Sequence, residues 1–170
     1  MDTAKTAFRE LDTPESLAAV RGIAASSWPE TFGTILSPEQ IVYMMKMMYA
    51  PEVMEKELAA GYRFEVLTVD GADAGYISYS AYDLAGTAKL HKVYLLSRFH
   101  GQGLGSLMLR HAEARCRALG FSRLRLNVNK HNARAIRAYE RNGFVTVESV
   151  KNDIGGGFFM DDFVMEKKLV

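Results

Sequence analysis

A chain of 170 residues, 48% hydrophobic and 24% charged, has room for one domain over 1–170 with a sizeable core. Its formal net charge of +1 does not by itself suggest a nucleic-acid partner, and no apolar run approaches the roughly 18 residues of a membrane-spanning helix. Met1-Asp2-Thr3-Ala4-Lys5 leads into no apolar signal-peptide core, which makes the cytoplasm the expected compartment. The one cysteine, Cys116, excludes an internal disulfide; it falls on an apolar helical stripe and reads as a small buried hydrophobe. His91, His100, His111 and His131 have neither cysteine partners nor HExxH spacing, so no metal site is expected.

In chain order, residues 7–11 read as a short strand. Thr13-Pro14-Glu15-Ser16 is a helix start, with Thr13 as N-cap, Pro14 at the first helical position and Glu15 in the first turn; that helix is predicted to run to about Ser27. Ser37-Pro38-Glu39-Gln40 repeats the signal ahead of Ile41, Met44, Met45, Met48 and Tyr49 at helical spacing. A third helix, 52–60, stops at Gly61. The period then changes to two. Residues 64–69 and 74–82 form a hairpin around Asp70-Gly71-Ala72-Asp73, and 87–96 is the next strand. A helix over 103–119 carries Leu104, Met108, Ala112, Cys116 and Leu119 on one stripe and ends at Gly120. Residues 124–128 make a strand and 132–142 a helix between Asn132 and Gly143. Strands over 144–150 and 158–169 close the chain, joined by a loop containing Gly155-Gly156-Gly157.

One junction in this order carries chemistry. The apolar strand ending at Val93-Tyr94-Leu95-Leu96 gives way to Gly101, Gly103 and Gly105, and a helix begins at once. Bare backbone amides at a helix N-terminus suit a phosphate-bearing ligand. A dinucleotide turn would need glycine where Ser106 stands, and an acidic residue about 20 positions on. Residues 114–139 contain no Asp or Glu. A P-loop would need a lysine after the glycines, and none follows.

His100-Gly101-Gln102-Gly103-Leu104-Gly105 resembles the R/Q-x-x-G-x-G/A coenzyme A pyrophosphate loop of GNAT-type N-acetyltransferases. Asn132-Ala133-Arg134-Ala135-Ile136-Arg137-Ala138-Tyr139-Glu140-Arg141-Asn142-Gly143-Phe144 resembles that family's second signature, N-x-x-A-x-x-x-Y-x-x-x-G-F. The two are separated by one helix and one strand, as in the family. The likeness extends from about residue 60 to the C-terminus and is nearest in look to small bacterial polyamine-acetyltransferase-like members. It implies an α/β (α+β) fold: a central mixed, mostly antiparallel sheet flanked by helices, with a splayed parallel strand pair holding the coenzyme. It implies acetyl-CoA as cosubstrate and acetyl transfer to a primary amine. His100 stands where the family usually has Arg or Gln, and a histidine also donates to phosphate.

The resemblance further implies site residues. The backbone of His100, Gly101, Gln102, Gly103, Leu104, Gly105 and Ser106 would wrap the pyrophosphate. Asn132 would bond the coenzyme as well as cap its helix. Val93, Tyr94 and Leu95 would pair with the pantetheine arm as a strand edge does. Tyr139 would be the general acid for the departing thiolate; a phenol of pKa about 10 is protonated at neutral pH, and although residue type alone favours packing beside Ile136 and Phe144, the two motifs together favour the acid role. The base is open. Some protein-acetylating relatives carry a glutamate where this chain has Asn127, which takes no proton. His91, on the strand leading to the loop, has a suitable intrinsic pKa. A hydrogen-bonded strand histidine, with water relaying the proton to Glu or Tyr groups, is the other reading.

Arg115, Arg117, Arg123, Arg125, Lys130, Arg134, Arg137 and Arg141 form a cationic run that reads as solvated faces, a few of which could attract the 3′-phosphate. Phe121 and Tyr139 are the only Phe, Tyr or Trp among them, too few for a stacking platform, so no nucleic-acid role is expected. Trp28-Pro29-Glu30-Thr31-Phe32 and Tyr43-Met44-Met45-Lys46-Met47-Met48-Tyr49 are the expected acceptor lining, with Glu30, Asp153, Asp161 and Asp162 as carboxylates for a polyamine or similar small amine. The expected partner is that small-molecule amine, with no nucleic acid and no membrane; a homodimer rests on base rate alone. The alternative is a coenzyme A-binding module without transfer activity.

Overall fold

The computed structural model describes residues 3–169. Seven strands form one sheet in the order β1-β2-β3-β4-β5-β7-β6. They are β1 (Thr6–Leu11), β2 (Arg63–Val69), β3 (Ala72–Ala81), β4 (Thr87–Leu95), β5 (Arg123–Asn129), β6 (Val145–Gly155) and β7 (Phe158–Lys168). Every neighbouring pair is antiparallel except β4 and β5. The mixed, mostly antiparallel sheet expected from the sequence is therefore the sheet observed. Among the described residues no helix is long and apolar enough to cross a membrane.

Three helices pack on one face: α1 (Ala18–Phe32), α2 (Pro38–Tyr49) and α3 (Pro51–Ala59). Trp28, Met54, Phe64 and Tyr76 are central to that core. Two helices, α4 (Leu104–Ala118) and α5 (Ala133–Arg141), pack on the other face over Leu67, Ile77, Met108 and Leu124. The helix starts follow local chemistry. The Thr13 hydroxyl accepts from the Ser16 amide, and Ser16 reciprocates at Thr13. That first turn, Glu15–Leu17, is a 3₁₀ turn that runs into α1. The Ser37 hydroxyl accepts from the Gln40 amide at 3.1 Å to cap α2.

Helix α1 continues beyond the expected end near Ser27, straight through Pro29. The proline removes a donor and costs about 3 kcal/mol inside a helix. Burial of Trp28 and Phe32 on the stripe begun by Val20, Ile23 and Ala24 offsets that cost, at roughly 1.5–3 kcal/mol for each large side chain. Strands β2 and β3 meet at Asp70-Gly71, both at positive φ (50° and 82°), which matches the twist of a two-residue hairpin.

Two irregularities position the site. Strands β4 and β5 pair only from Thr87↔Arg123 to Lys89↔Arg125, and beyond Lys89 they part. Across from this point Tyr79 pairs with Leu90 while Ser78 pairs with Lys92, so His91 is an extra, unpaired residue in β4. Such a bulge bends its strand, here away from β5. The second is the β6–β7 hairpin, whose first strand runs to Gly155, past the expected end at Val150. It docks on α2: Tyr43 Oη donates to the Ile154 carbonyl (2.6 Å) and Gln40 Nε2 to that of Phe159 (2.7 Å). A Cβ on Gly155 or Gly156 would lie 2.6 or 2.8 Å from the Tyr43 side chain, so glycine is required for this contact.

Candidate active site

The loop after β4 is held from both ends. The Ser97 amide donates to Glu30 Oε2 (2.9 Å), and His100 Nε2 donates to the Leu95 carbonyl (3.0 Å). Gly101 and Gly103 adopt left-handed φ of 78° and 74°, which other L residues rarely do. Gly105 is helical, yet a Cβ on any of the three would meet no protein atom within 4 Å. The amides at the start of α4 thus face open space, with the positive end of a 15-residue helix behind them.

That space is a cavity of about 340 Å³. Val93, Tyr94, Leu95, His100, Gly101, Gly103, Leu104, Gly105, Ser106 and Asn132 all line it, as do His91 and Tyr139; Gln102 is exposed and does not. Asn132 caps α5 by accepting from the Ala135 amide (3.3 Å). The cationic run divides sharply. Arg134 and Arg141 line the cavity. Arg115 serves Tyr79 and Glu65, Arg117 the Leu169 carbonyl, Arg123 and Arg125 Glu166, and Lys130 Asp161.

Tyr139 is 9% exposed and packs edge-on against Phe144, with ring centroids 5.9 Å apart. Burial alone raises its pKa, with no contribution from a charge or a hydrogen-bond partner. Its phenol therefore stays protonated and uncommitted at the cavity wall. Cys116, by contrast, is fully buried, its thiol pushed up to about 12 chiefly by burial, and is unreactive.

A second cavity of about 310 Å³ lies on the α1–α3 side of the sheet. It shares Phe32, Leu90, His91, Tyr94, Asn127 and Asn129 with the first, so the gap between β4 and β5 joins the two. Trp28, Phe32, Met44, Met47 and Met48 line it as expected, with Phe159 and Met160 of the docked hairpin. Of the expected carboxylates only Asp162 lines it. Glu30 is held by Ser97, Asp153 by the Gly155 amide and Asp161 by Lys130.

The electrostatics of this second cavity are specific. Asp162 is 3% exposed; burial raises its pKa and the charge of Asp161 adds to this, while Asn127, Lys89 and Lys130 oppose. Lys92 is 4% exposed and pairs with Glu57 at 3.3 Å. His91 Nε2 shares a hydrogen bond with Ser80 Oγ (2.7 Å), and its ring stacks on Tyr62. Burial, then Lys89 and Lys92, lowers the pKa of His91 to about 3, so it is neutral. Beneath the floor, Trp28 Nε1 donates to Tyr49 Oη (2.9 Å), which bonds Tyr76 Oη (2.7 Å). Glu57, Lys89 and Lys92 were not anticipated. The signal available for the lysines was a strand reading Lys89-Leu90-His91-Lys92, polar where its flanks are apolar. Among the described residues no three His, Cys, Asp or Glu side chains converge as metal ligands.

Known proteins share this fold. The profile of the Acetyltransferase (GNAT) family matches residues 18–144. A spermidine N(1)-acetyltransferase of Thermoplasma acidophilum is 27% identical over 157 residues, covering 91% of this chain and 92% of that protein. An uncharacterised N-acetyltransferase of Mycobacterium tuberculosis is 29% identical over 158 residues, or 92% and 97% of the two chains. Among solved structures, PaiA N-acetyltransferase from Thermoplasma acidophilum, in complex with coenzyme A, superposes with a TM-score of 0.79 at 27% identity, over 96% of this chain and 99% of that one. A GCN5-related N-acetyltransferase from Rhodopseudomonas palustris, 18% identical, shares the fold with a TM-score of 0.81 over 99% and 98%. With its glycine loop, its parted parallel strands and a family match over most of its length, this chain is an acyltransferase that belongs to the GNAT acetyltransferase family.

Proposed function

We propose that the protein is one N-acetyltransferase domain over 1–170 that transfers an acetyl group from acetyl-coenzyme A to a small primary amine. The observation that carries this reading is the parting of β4 from β5, which opens the glycine-loop cavity, lined by Tyr139, onto the acceptor cavity.

The residues fit the coenzyme. The open amides from Gly101 to Ser106 suit its diphosphate, with Arg134 and Arg141 at hand for phosphate charge. His100 has its Nε2 hydrogen committed to Leu95, so it offers phosphate a donor only when protonated. Val93, Tyr94 and Leu95 lie on the stretch of β4 that β5 leaves unpaired, so backbone groups there suit an extended amide chain. The Asn132 side chain keeps its amide nitrogen for the same ligand. The bound coenzyme supplies the acetyl group as a thioester and departs as a thiol. Tyr139 holds the proton that such a leaving group needs.

On the acceptor side, Glu57 is committed to Lys92, which leaves Asp162 to receive an ammonium. A carboxylate with a raised pKa is also the stronger proton acceptor in this cavity, directly or through water. The base role expected of His91 depends on Nδ1, and a conjugate acid of pKa about 3 makes that a weak base. The 27% identical spermidine acetyltransferase supports a small-molecule acceptor of polyamine size over a protein amine. Thiol release from acetyl-CoA across a panel of small amines tests the reading. Release dependent on one class of amine supports it; tight coenzyme binding with no release for any amine identifies a coenzyme-binding module instead.

A further inference from the structure

The charges of the acceptor cavity do not balance in the way a simple polycation would require. Two carboxylates and two lysines line it: Glu57, Asp162, Lys89 and Lys92. Lys92 and Glu57 neutralise one another at 3.3 Å. That leaves one anion and one cation. Neither Asp162 nor Lys89 forms an ion pair within 4.0 Å among the described residues; they act on one another only at longer range, each favouring the other's charged form, and Asn127 is the hydrogen-bond partner of Asp162. Lys89 Nζ lies over the Tyr82 ring, 5.6 Å from its centroid. Arg125, which lies over the same ring, is already bound to Glu166. A partly buried charge without a close partner is unfavourable, and a ligand that brings the opposite charge into contact relieves it.

We propose that the acceptor carries an anionic group as well as its amine, with Asp162 receiving the ammonium and Lys89 the anion. This rests on the acetyl-transfer reading of the same cavity and narrows it to zwitterionic amines, amino acids in the broad sense. The register sets the order of the two charges. Asp162 is level with Asn129, on the lining shared with the coenzyme cavity, whereas Lys89 is level with Arg125. Four residues of strand separate these levels by about 13 Å, a gap that the long lysine side chain partly spans. The amine therefore lies at the junction of the two cavities and the anion points outward. Met44, Met47, Met48 and Met160 give the cavity an adaptable apolar wall, which suits an apolar body. A second ammonium on the ligand, as in a polyamine, would meet Lys89 with like charge.

Matched pairs of amines that differ only in the carboxylate test this: phenylalanine and phenethylamine, 6-aminohexanoate and pentylamine, lysine and cadaverine. Calorimetry in the presence of coenzyme A reads their affinities without requiring transfer. The carboxylated member of at least one pair is expected to bind about 10-fold tighter. Lys89→Met should bring that ratio near one, Lys89→Arg should keep it, and Lys89→Glu should invert it in favour of the diamine. A decarboxylated member that binds as tightly in every pair, a ratio unmoved by K89M and K89E, or no binding of either member overturns the inference. A carboxylate preference in binding with no thiol release leaves the inference standing and overturns the transferase reading. Release with decarboxylated amines, together with equal affinities within each pair, does the reverse.

Discussion

Tyr139 and His91 are both buried, and burial acts on them in opposite ways. It holds the phenol protonated and the imidazole neutral, because each pKa moves toward the uncharged form. Tyr139→Phe keeps the ring against Phe144 and removes only the proton. Turnover in the thiol-release assay should fall about 10²-fold or more, while coenzyme A affinity by calorimetry stays within about two-fold. Unchanged turnover would assign Tyr139 to packing alone. His91 predicts a pH dependence of stability. Its imidazole titrates near 6.5 when unfolded and at about 3 when folded. Between those values the unfolded chain binds the extra proton, so stability falls as pH drops, by up to about 1.4 kcal/mol per pH unit; above 6.5 the group contributes no slope. Urea titrations from pH 7.5 to 4.5 should show a shallower acid loss for His91→Gln than for the native protein. Parallel curves would mean that His91 is solvated and titrates normally.

The glycine loop separates two reasons for having glycine. Gly103 needs its left-handed φ of 74°, so Gly103→Ala should lose about 1–2 kcal/mol of stability along with coenzyme affinity. Gly105 is helical with no protein atom near its Cβ, so Gly105→Ala should hold or raise stability by up to about 1 kcal/mol through helix propensity. The new methyl would still stand in the coenzyme cavity, and affinity should fall. Thermal melts with and without coenzyme A read both terms; equal ligand-induced shifts in G105A and the native protein would remove the diphosphate from this loop. The loop was legible in the sequence because its reasons are local: a strand end, a turn, a helix start. So were the Ser37 and Asn132 caps and the Asp70-Gly71 turn. The His91 bulge was not, because a bulge exists only as a mismatch between two paired strands, and Ser78, Tyr79, Leu90 and Lys92 each look like ordinary strand residues alone. The passage of α1 through Pro29 was hidden for a related reason, since the compensating burial of Trp28 and Phe32 comes from partners distant in sequence.

At the scale of the whole molecule, the proposed function depends on keeping a gap in the middle of a sheet open without losing the sheet. Helices α1–α3 and the β6–β7 hairpin brace one side of that gap, and the Lys92–Glu57 pair ties α3 directly to the parted strand β4 across 35 residues of sequence. Lys92 is 4% exposed and lies over the Tyr49 and Phe64 rings, 5.3 and 5.9 Å from their centroids. The polar stretch around Lys92 was visible in the local sequence, but nothing there announced Glu57 as its partner, because the fold alone brings the two together. Removing one partner leaves the other charge buried and alone. Glu57→Gln should therefore cost about 3 kcal/mol, and Lys92→Met alone a similar amount, since each strands its partner. The double variant Glu57→Leu/Lys92→Met strands nothing, because it replaces the pair by apolar side chains of similar size. It should recover most of the lost stability in urea denaturation. Additive losses in the double variant would mean that the two charges act separately and that α3 is anchored by apolar packing alone. Recovery of stability with weakened amine binding would show that the fold tolerates an apolar strut at this point, and that a neutralised charge pair is retained there for the cavity it lines.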